Sequence, residues 1–161
     1  MLENVTTLIF DVGGTLKKSS HFGGKYKIFN NWRWYTDVEK QIPELAKKYK
    51  IVIAGNQPSK ALKKIEESSI RPYITKIFLS EDMGLEKPSK DFFQHVLAEL
   101  DLAPEEVAYV GNDLKYDIKP SQELGIKAIW LKRPYNFLFT QNLFHLNTKP
   151  DIKIKRLKEI K

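Results

Sequence analysis

Short apolar runs separated by longer amphipathic stretches set the rhythm of the chain. Five runs, at residues 5–10, 51–54, 76–79, 107–110 and 126–131, are rich in β-branched or aromatic residues, and each is followed by polar or glycine-bearing positions. Runs this short with little polar alternation read as strands buried on both faces. Their alternation with helical stretches predicts a parallel sheet covered by helices on each side.

The helical stretches carry their own signals. After Pro88-Ser89, Ser89 is placed to cap a helix on which Phe92, Phe93, Val96, Leu97 and Leu100 share one face. Residues 37–49 carry a stripe of Val38, Ile42, Leu45 and Ala46, and Pro43 limits the first turn or marks its start. Further helices are predicted over 58–69, over 116–124 with Gly125 as a C-terminal cap, and around 157–160. Residues 17–35 and 133–148 are rich in aromatics and lack either period. They read as loops over a site or as irregular packing against the sheet. Trp32 and Trp34, on either side of Arg33, share those alternatives.

Composition bounds the class of protein. A chain of 161 residues with 42% apolar residues is enough for one core and too little for two, so a single domain over 1–161 is expected. The absence of Cys removes disulfides, thiolate zinc sites and a cysteine nucleophile. No apolar run approaches the roughly 18 residues that span a bilayer, and residues 1–4 lack a secretory signal, so the expected compartment is the cytoplasm and no membrane partner is expected. The net charge of +7 favours anionic partners. The cations are scattered, however. Their densest run, 149–161, is interleaved with Ile152, Ile154, Leu157 and Ile160 and reads as a packed terminal helix, so nucleic acid is not the expected partner.

In open parallel sheets, ligands gather at the carboxyl ends of the strands, and the residues just after each run are rich in candidate chemistry. The first run leads into Phe10-Asp11-Val12-Gly13-Gly14-Thr15-Leu16, a carboxylate followed by backbone amides that can cradle an oxyanion. Gly55-Asn56 follows the second run, and Glu86-Lys87-Pro88 precedes the Ser89 cap. The fourth run ends in Gly111-Asn112-Asp113-Leu114-Lys115-Tyr116-Asp117, whose oxygens suit Mg2+. Each feature has a plainer reading. Asp11 can cap a turn, Lys87 can be a surface lysine, and Asp113 or Asp117 can start a helix. His21, His95 and His145 are isolated from one another and read as surface or packing residues.

Taken in order, these four segments resemble the motifs of the haloacid dehalogenase (HAD) superfamily, and the resemblance runs through nearly the whole chain. It implies a three-layer, Rossmann-like α/β fold with a five-stranded parallel sheet and helices on both faces. It also implies a Mg2+-dependent phosphohydrolase in which Asp11 attacks phosphorus and Lys87 screens the charge. The metal would lie among Asp11, the Gly13 carbonyl and an oxygen of Asn112 or Asp113, with Asp117 orienting a water or Lys87. Gly14, Thr15 and the Gly55-Asn56 pair would hold the phosphoryl oxygens. The expected partner is a phosphorylated small molecule or an exposed phosphate ester.

Three positions depart from the family pattern. Gly13 stands where phosphatases of the family carry an aspartate that protonates the leaving group and activates water, a loss of about 10² to 10⁴ in rate. Gly55 replaces a hydroxyl residue, and Asn112 aligns with an acid. The stretch between Leu16 and Ile51 is too short for a large helical cap, so residues 17–35 are expected to form a short flap or reduced cap. Dehalogenation is not expected, because that chemistry needs an enclosed apolar pocket. A site so altered points to a phosphohydrolase of low activity, or to a degenerate module that binds a phosphorylated ligand or a protein.

Overall fold

A computed structural model describes residues 2–18, 32–133 and 147–161. Six parallel strands form one sheet in the order β3-β2-β1-β4-β5-β6. They are β1 (Thr7–Phe10), β2 (Lys50–Gly55), β3 (Ile74–Leu79), β4 (Val107–Gly111), β5 (Lys127–Leu131) and β6 (Ile152–Ile154). β1 lies between β2 and β4, with Phe10 level with Ile53 on one side and Val110 on the other. The segments that follow these three strands therefore leave from one edge of the sheet.

Both faces of the central strands are covered, which is why their apolar residues run without alternation. Leu8, Phe10, Ile51, Ile53, Ala108 and Val110 join a core with α1 (Val38–Ala46) and α2 (Ala61–Glu66), whose Val38, Ile42, Leu45, Ala61 and Ile65 are buried. On the opposite face, Ile9, Val52, Ala54, Val107 and Tyr109 pack with Phe92, Phe93, Val96 and Leu97 of α4 (Lys90–Leu100). Ser89 caps α4 by accepting the Asp91 N–H at 3.2 Å. A short α3 (Ser80–Met83) follows β3.

The helix predicted over 116–124 is built in two parts. Residues Leu114–Ile118 form a π-helical turn in which the Ile118 N–H reaches the Asp113 carbonyl at 3.1 Å, and α5 (Lys119–Gln122) continues from it. Gly125, with φ +83°, follows, a backbone conformation that residues with a Cβ rarely adopt.

Two expectations at the C-terminus are corrected. The sheet has six strands, not five, because Ile152, Lys153 and Ile154 pair with β5 as an edge strand. Three residues inside a cationic run carry too little pattern to be read as a strand alone. The helix expected at 157–160 is a single 3₁₀ turn (Leu157–Glu159) that buries Leu157 and Ile160 against the α1 side of the core.

The described ends of the aromatic segment pack rather than project. Trp32, Trp34 and Tyr35 lie against the α1-side core, and the two indoles meet edge to face at 5.4 Å. Most of the expected flap, residues 19–31 with His21, lies outside the described residues, as do 134–146 with His145. His95 packs edge to face on Phe78, as a structural histidine does.

Candidate active site

The sheet carries Asp11 at the end of β1, Asn56 after β2 and Asn112 after β4, and it brings Lys87 in from the loop before α4. Lys87 is 3% exposed, far from a surface lysine. Its Nζ donates to Asp11 Oδ1 at 2.7 Å and to Asp117 Oδ1 at 2.5 Å. Burial works against the ammonium, but the two carboxylates outweigh it and hold the Lys87 pKa well above the ordinary lysine range. Asp117 is moved the other way. Burial raises its pKa to about 7, against the pull of Lys87.

Each group is held from more than one side. Asn56 clamps the Lys87 backbone, its Nδ2 donating to the Lys87 carbonyl at 2.9 Å and its Oδ1 accepting the Lys87 N–H at 2.8 Å. Asp117 Oδ2 accepts the Asp113 N–H at 2.9 Å. Tyr109 lies beneath the ammonium, its ring centroid 5.5 Å from Lys87 Nζ, and its hydroxyl donates to the Ala54 carbonyl at 2.7 Å. Burial raises the pKa of that phenol well above its usual value.

The Thr15 hydroxyl joins two loops. It lies 3.0 Å from Asp11 Oδ2 and 3.1 Å from Asn112 Oδ1. One hydroxyl proton thus faces two acceptor oxygens, and a donor set with more oxygens than protons suits a hard divalent cation such as Mg2+. Asp113 is differently employed. Its Oδ1 accepts the N–H groups of Lys115 and Tyr116 and caps the π-helical turn. Among the described residues no cluster of three or more His, Cys, Asp or Glu is arranged to hold a metal ion.

The remaining candidates sit close by with altered surroundings. The Gly14 N–H donates to the Lys17 carbonyl at 2.7 Å, inside its own turn. Gly55 faces Asp11, and a Cβ there would stand 3.0 Å from Asp11 Oδ1. Tyr109, Trp130, Asp37 and Arg133 join the surroundings of the site from outside the four motifs. Arg133 had a legible signal, since it comes just after the fifth apolar run, where a rule about strand ends applies as well as it does to Asp11.

The architecture and this constellation define a class. The family model for haloacid dehalogenase-like hydrolases matches residues 15–131, and the chain belongs to that family. Among curated relatives, a glyceraldehyde 3-phosphate phosphatase of Methanocaldococcus jannaschii is 37% identical over 78 residues, which is 48% of this chain and 34% of that protein. The putative HAD-hydrolase YfnB of Bacillus subtilis is 30% identical over 92 residues, 56% of this chain and 39% of its own length. The chain thus spans well under two thirds of either relative.

Solved structures agree on the fold. A predicted phosphoglycolate phosphatase from Haemophilus somnus superposes with a TM-score of 0.78 at 15% identity, over 98% of this chain and 96% of that one. The Bacillus subtilis YfnB structure, bound to magnesium, gives 0.66 at 24% identity over 80% of this chain and 53% of its own. No helix among the described residues is long and apolar enough to cross a membrane.

Proposed function

We propose that this chain hydrolyses phosphate esters slowly through an aspartyl phosphate on Asp11, with Mg2+ as its cation. One observation carries the reading: four polar groups from three segments remote in sequence, Asp11, Lys87, and Asn112 with Asp117, converge at the ends of the strands, with the ammonium between the two carboxylates. A carboxylate attacks a phosphate dianion poorly unless cations screen the repulsion. Lys87 supplies one positive charge, and Asp117 and Asn56 hold it in place. Asp11, Asn112 and the Gly13 carbonyl would hold Mg2+, which supplies the remaining charge neutralisation when bound. Asp113, occupied as a cap, is left out of that set.

In the first step an Asp11 oxygen bonds to phosphorus, the ester P–O bond breaks, and the leaving oxygen takes its proton from water because Gly13 offers no carboxyl group. In the second, water attacks the aspartyl phosphate, inorganic phosphate departs and the Asp11 carboxylate is regenerated. The Thr15 amide would face the phosphoryl oxygens beside Gly55, the Gly14 N–H being held by the Lys17 carbonyl. The substrate class is a phosphorylated small molecule or exposed ester, supported by the phosphatase named among the relatives. We read the chain as one cytoplasmic domain.

The test is Mg2+-dependent release from an aryl phosphate, whose good leaving group needs little acid assistance. Release abolished by Asp11→Asn supports the proposal; release no greater than that of the variant overturns it. Gly13 and Gly55 favour a second reading, a module that binds a phosphorylated ligand without turning it over. Retained phosphate binding in a chain silent toward the aryl phosphate identifies that case.

A further inference from the structure

We propose that the C-terminal end of β5 positions the two loops that carry Asp11 and Asn112, through the Trp130 indole and the Arg133 guanidinium. The inference rests on the reading of Asp11 and Asn112 as cation ligands. Trp130 and Arg133 both donate to backbone carbonyls of the residues that bring those oxygens together.

Trp130 Nε1 donates to the Asn112 carbonyl at 3.0 Å. Arg133 Nη2 and Nε donate to the Thr15 carbonyl at 3.0 and 3.3 Å. Thr15 and Asn112 are the two residues whose side chains meet at 3.1 Å beside Asp11 Oδ2. Each is therefore anchored twice, by its carbonyl to Trp130 of β5 or to Arg133 two residues beyond that strand, and by its side chain to the other loop. Since β4 lies between β1 and β5, Arg133 reaches over the end of β4 to grip the loop after β1. The spacing between the β1 and β4 loops, and with it the spacing of Asp11 and Asn112, is tied to a third strand that contributes no ligand.

Arg133 is itself held rigidly. Its Nη1 donates to Asp37 Oδ2 at 2.8 Å, and its guanidinium lies over the Tyr35 ring at 4.2 Å. Asp37 Oδ2 also accepts the Leu157 N–H at 3.2 Å, while Asp37 Oδ1 is buried with no hydrogen-bond partner among the described residues. Arg133 and Trp130 are each 5% exposed. A planar fork reaching a carbonyl and a carboxylate together is a geometry that lysine does not reproduce. Partners behind metal ligands typically change metal affinity by about 10- to 100-fold when lost.

The experiment compares the full chain with Trp130→Phe and Arg133→Lys by calorimetric titration with Mg2+, alongside the thermal midpoint without metal. Trp130→Phe removes the indole N–H while keeping a smaller aromatic ring in the core, so it serves even if Arg133→Lys folds poorly. Val96→Ala, in the core beneath α4, provides a destabilised chain remote from these carbonyls. The expected result is Mg2+ affinity reduced about tenfold or more in both β5 variants and unchanged in Val96→Ala. Wild-type affinity in both β5 variants, whatever their midpoints, overturns the inference alone. A wild-type chain that binds no Mg2+ overturns both the inference and the reading beneath it.

Discussion

Gly111 faces Asp117 so closely that a Cβ at Gly111 would overlap the aspartate's Cβ and carboxyl group. The last residue of β4 is thus bare so that the acid behind Lys87 can stand against the sheet. Gly111→Ala is expected to lower stability by about 1–3 kcal/mol through overpacking and to displace Asp117 from Lys87. Chemical denaturation measures the first effect. A variant as stable as the wild type would show that the turn after β4 gives way freely.

Lys87 is the counter-ion of two buried carboxylates, and removing one partner of a buried ion pair costs about 3–5 kcal/mol. Lys87→Met is expected to lose stability on that scale. Adding Asp117→Asn should recover part of the loss, because one uncompensated charge disappears. The coupling is read from a double-mutant cycle in urea. Strictly additive effects would mean that Lys87 and Asp117 do not depend on one another.

The raised pKa of Asp117 predicts a pH dependence with a definite sign. Between the ordinary carboxylate range near pH 4 and about 7, the folded chain keeps a proton on Asp117 that the unfolded chain has released. The folded state binds more protons there, so this group's contribution to stability falls as pH rises through that window, by at most about 1.4 kcal/mol per pH unit. Asp117→Asn removes the titration. The stability of the metal-free wild type relative to Asp117→Asn should therefore decline from pH 4 to 7 and level off above it. A difference that is flat, or rises, over the window refutes the assignment.

Gly13 bears on the chemistry itself. If the missing carboxyl group limits turnover, Gly13→Asp should raise the rate on an alkyl phosphate about tenfold or more and change the aryl phosphate rate far less. Steady-state rates on the two substrates separate the cases. Equal changes on both would place the limit elsewhere, at Gly55, Asn112 or the open site.

Much of the site was legible in the chain. Asp11, Lys87, Asn112 and Asp117 each follow or precede a recognisable element, and a parallel sheet obliges such positions to share one edge. The roles of Asn56 and Asp113 were not legible. An amide has donors and acceptors for a phosphate or for a backbone, and only the approach of Lys87 spends both of the Asn56 groups on the lysine's own peptide units. Asp113 was open to two readings for the same reason, until the π-helical turn presented two N–H groups to it.

The order of apolar and polar residues was sufficient to specify buried parallel strands, the cap of α4 and the residues at the strand ends, because these depend on neighbours a few positions away. Tertiary contact decided the rest. β6 exists because β5 offers it an edge to pair with, and Lys87 is a buried ion because Asp11 and Asp117 reach it from two other loops. Arg133 becomes a brace because folding carries the Thr15 carbonyl and Asp37 to opposite sides of its guanidinium. Such interactions join residues many positions apart, and no local periodicity encodes them.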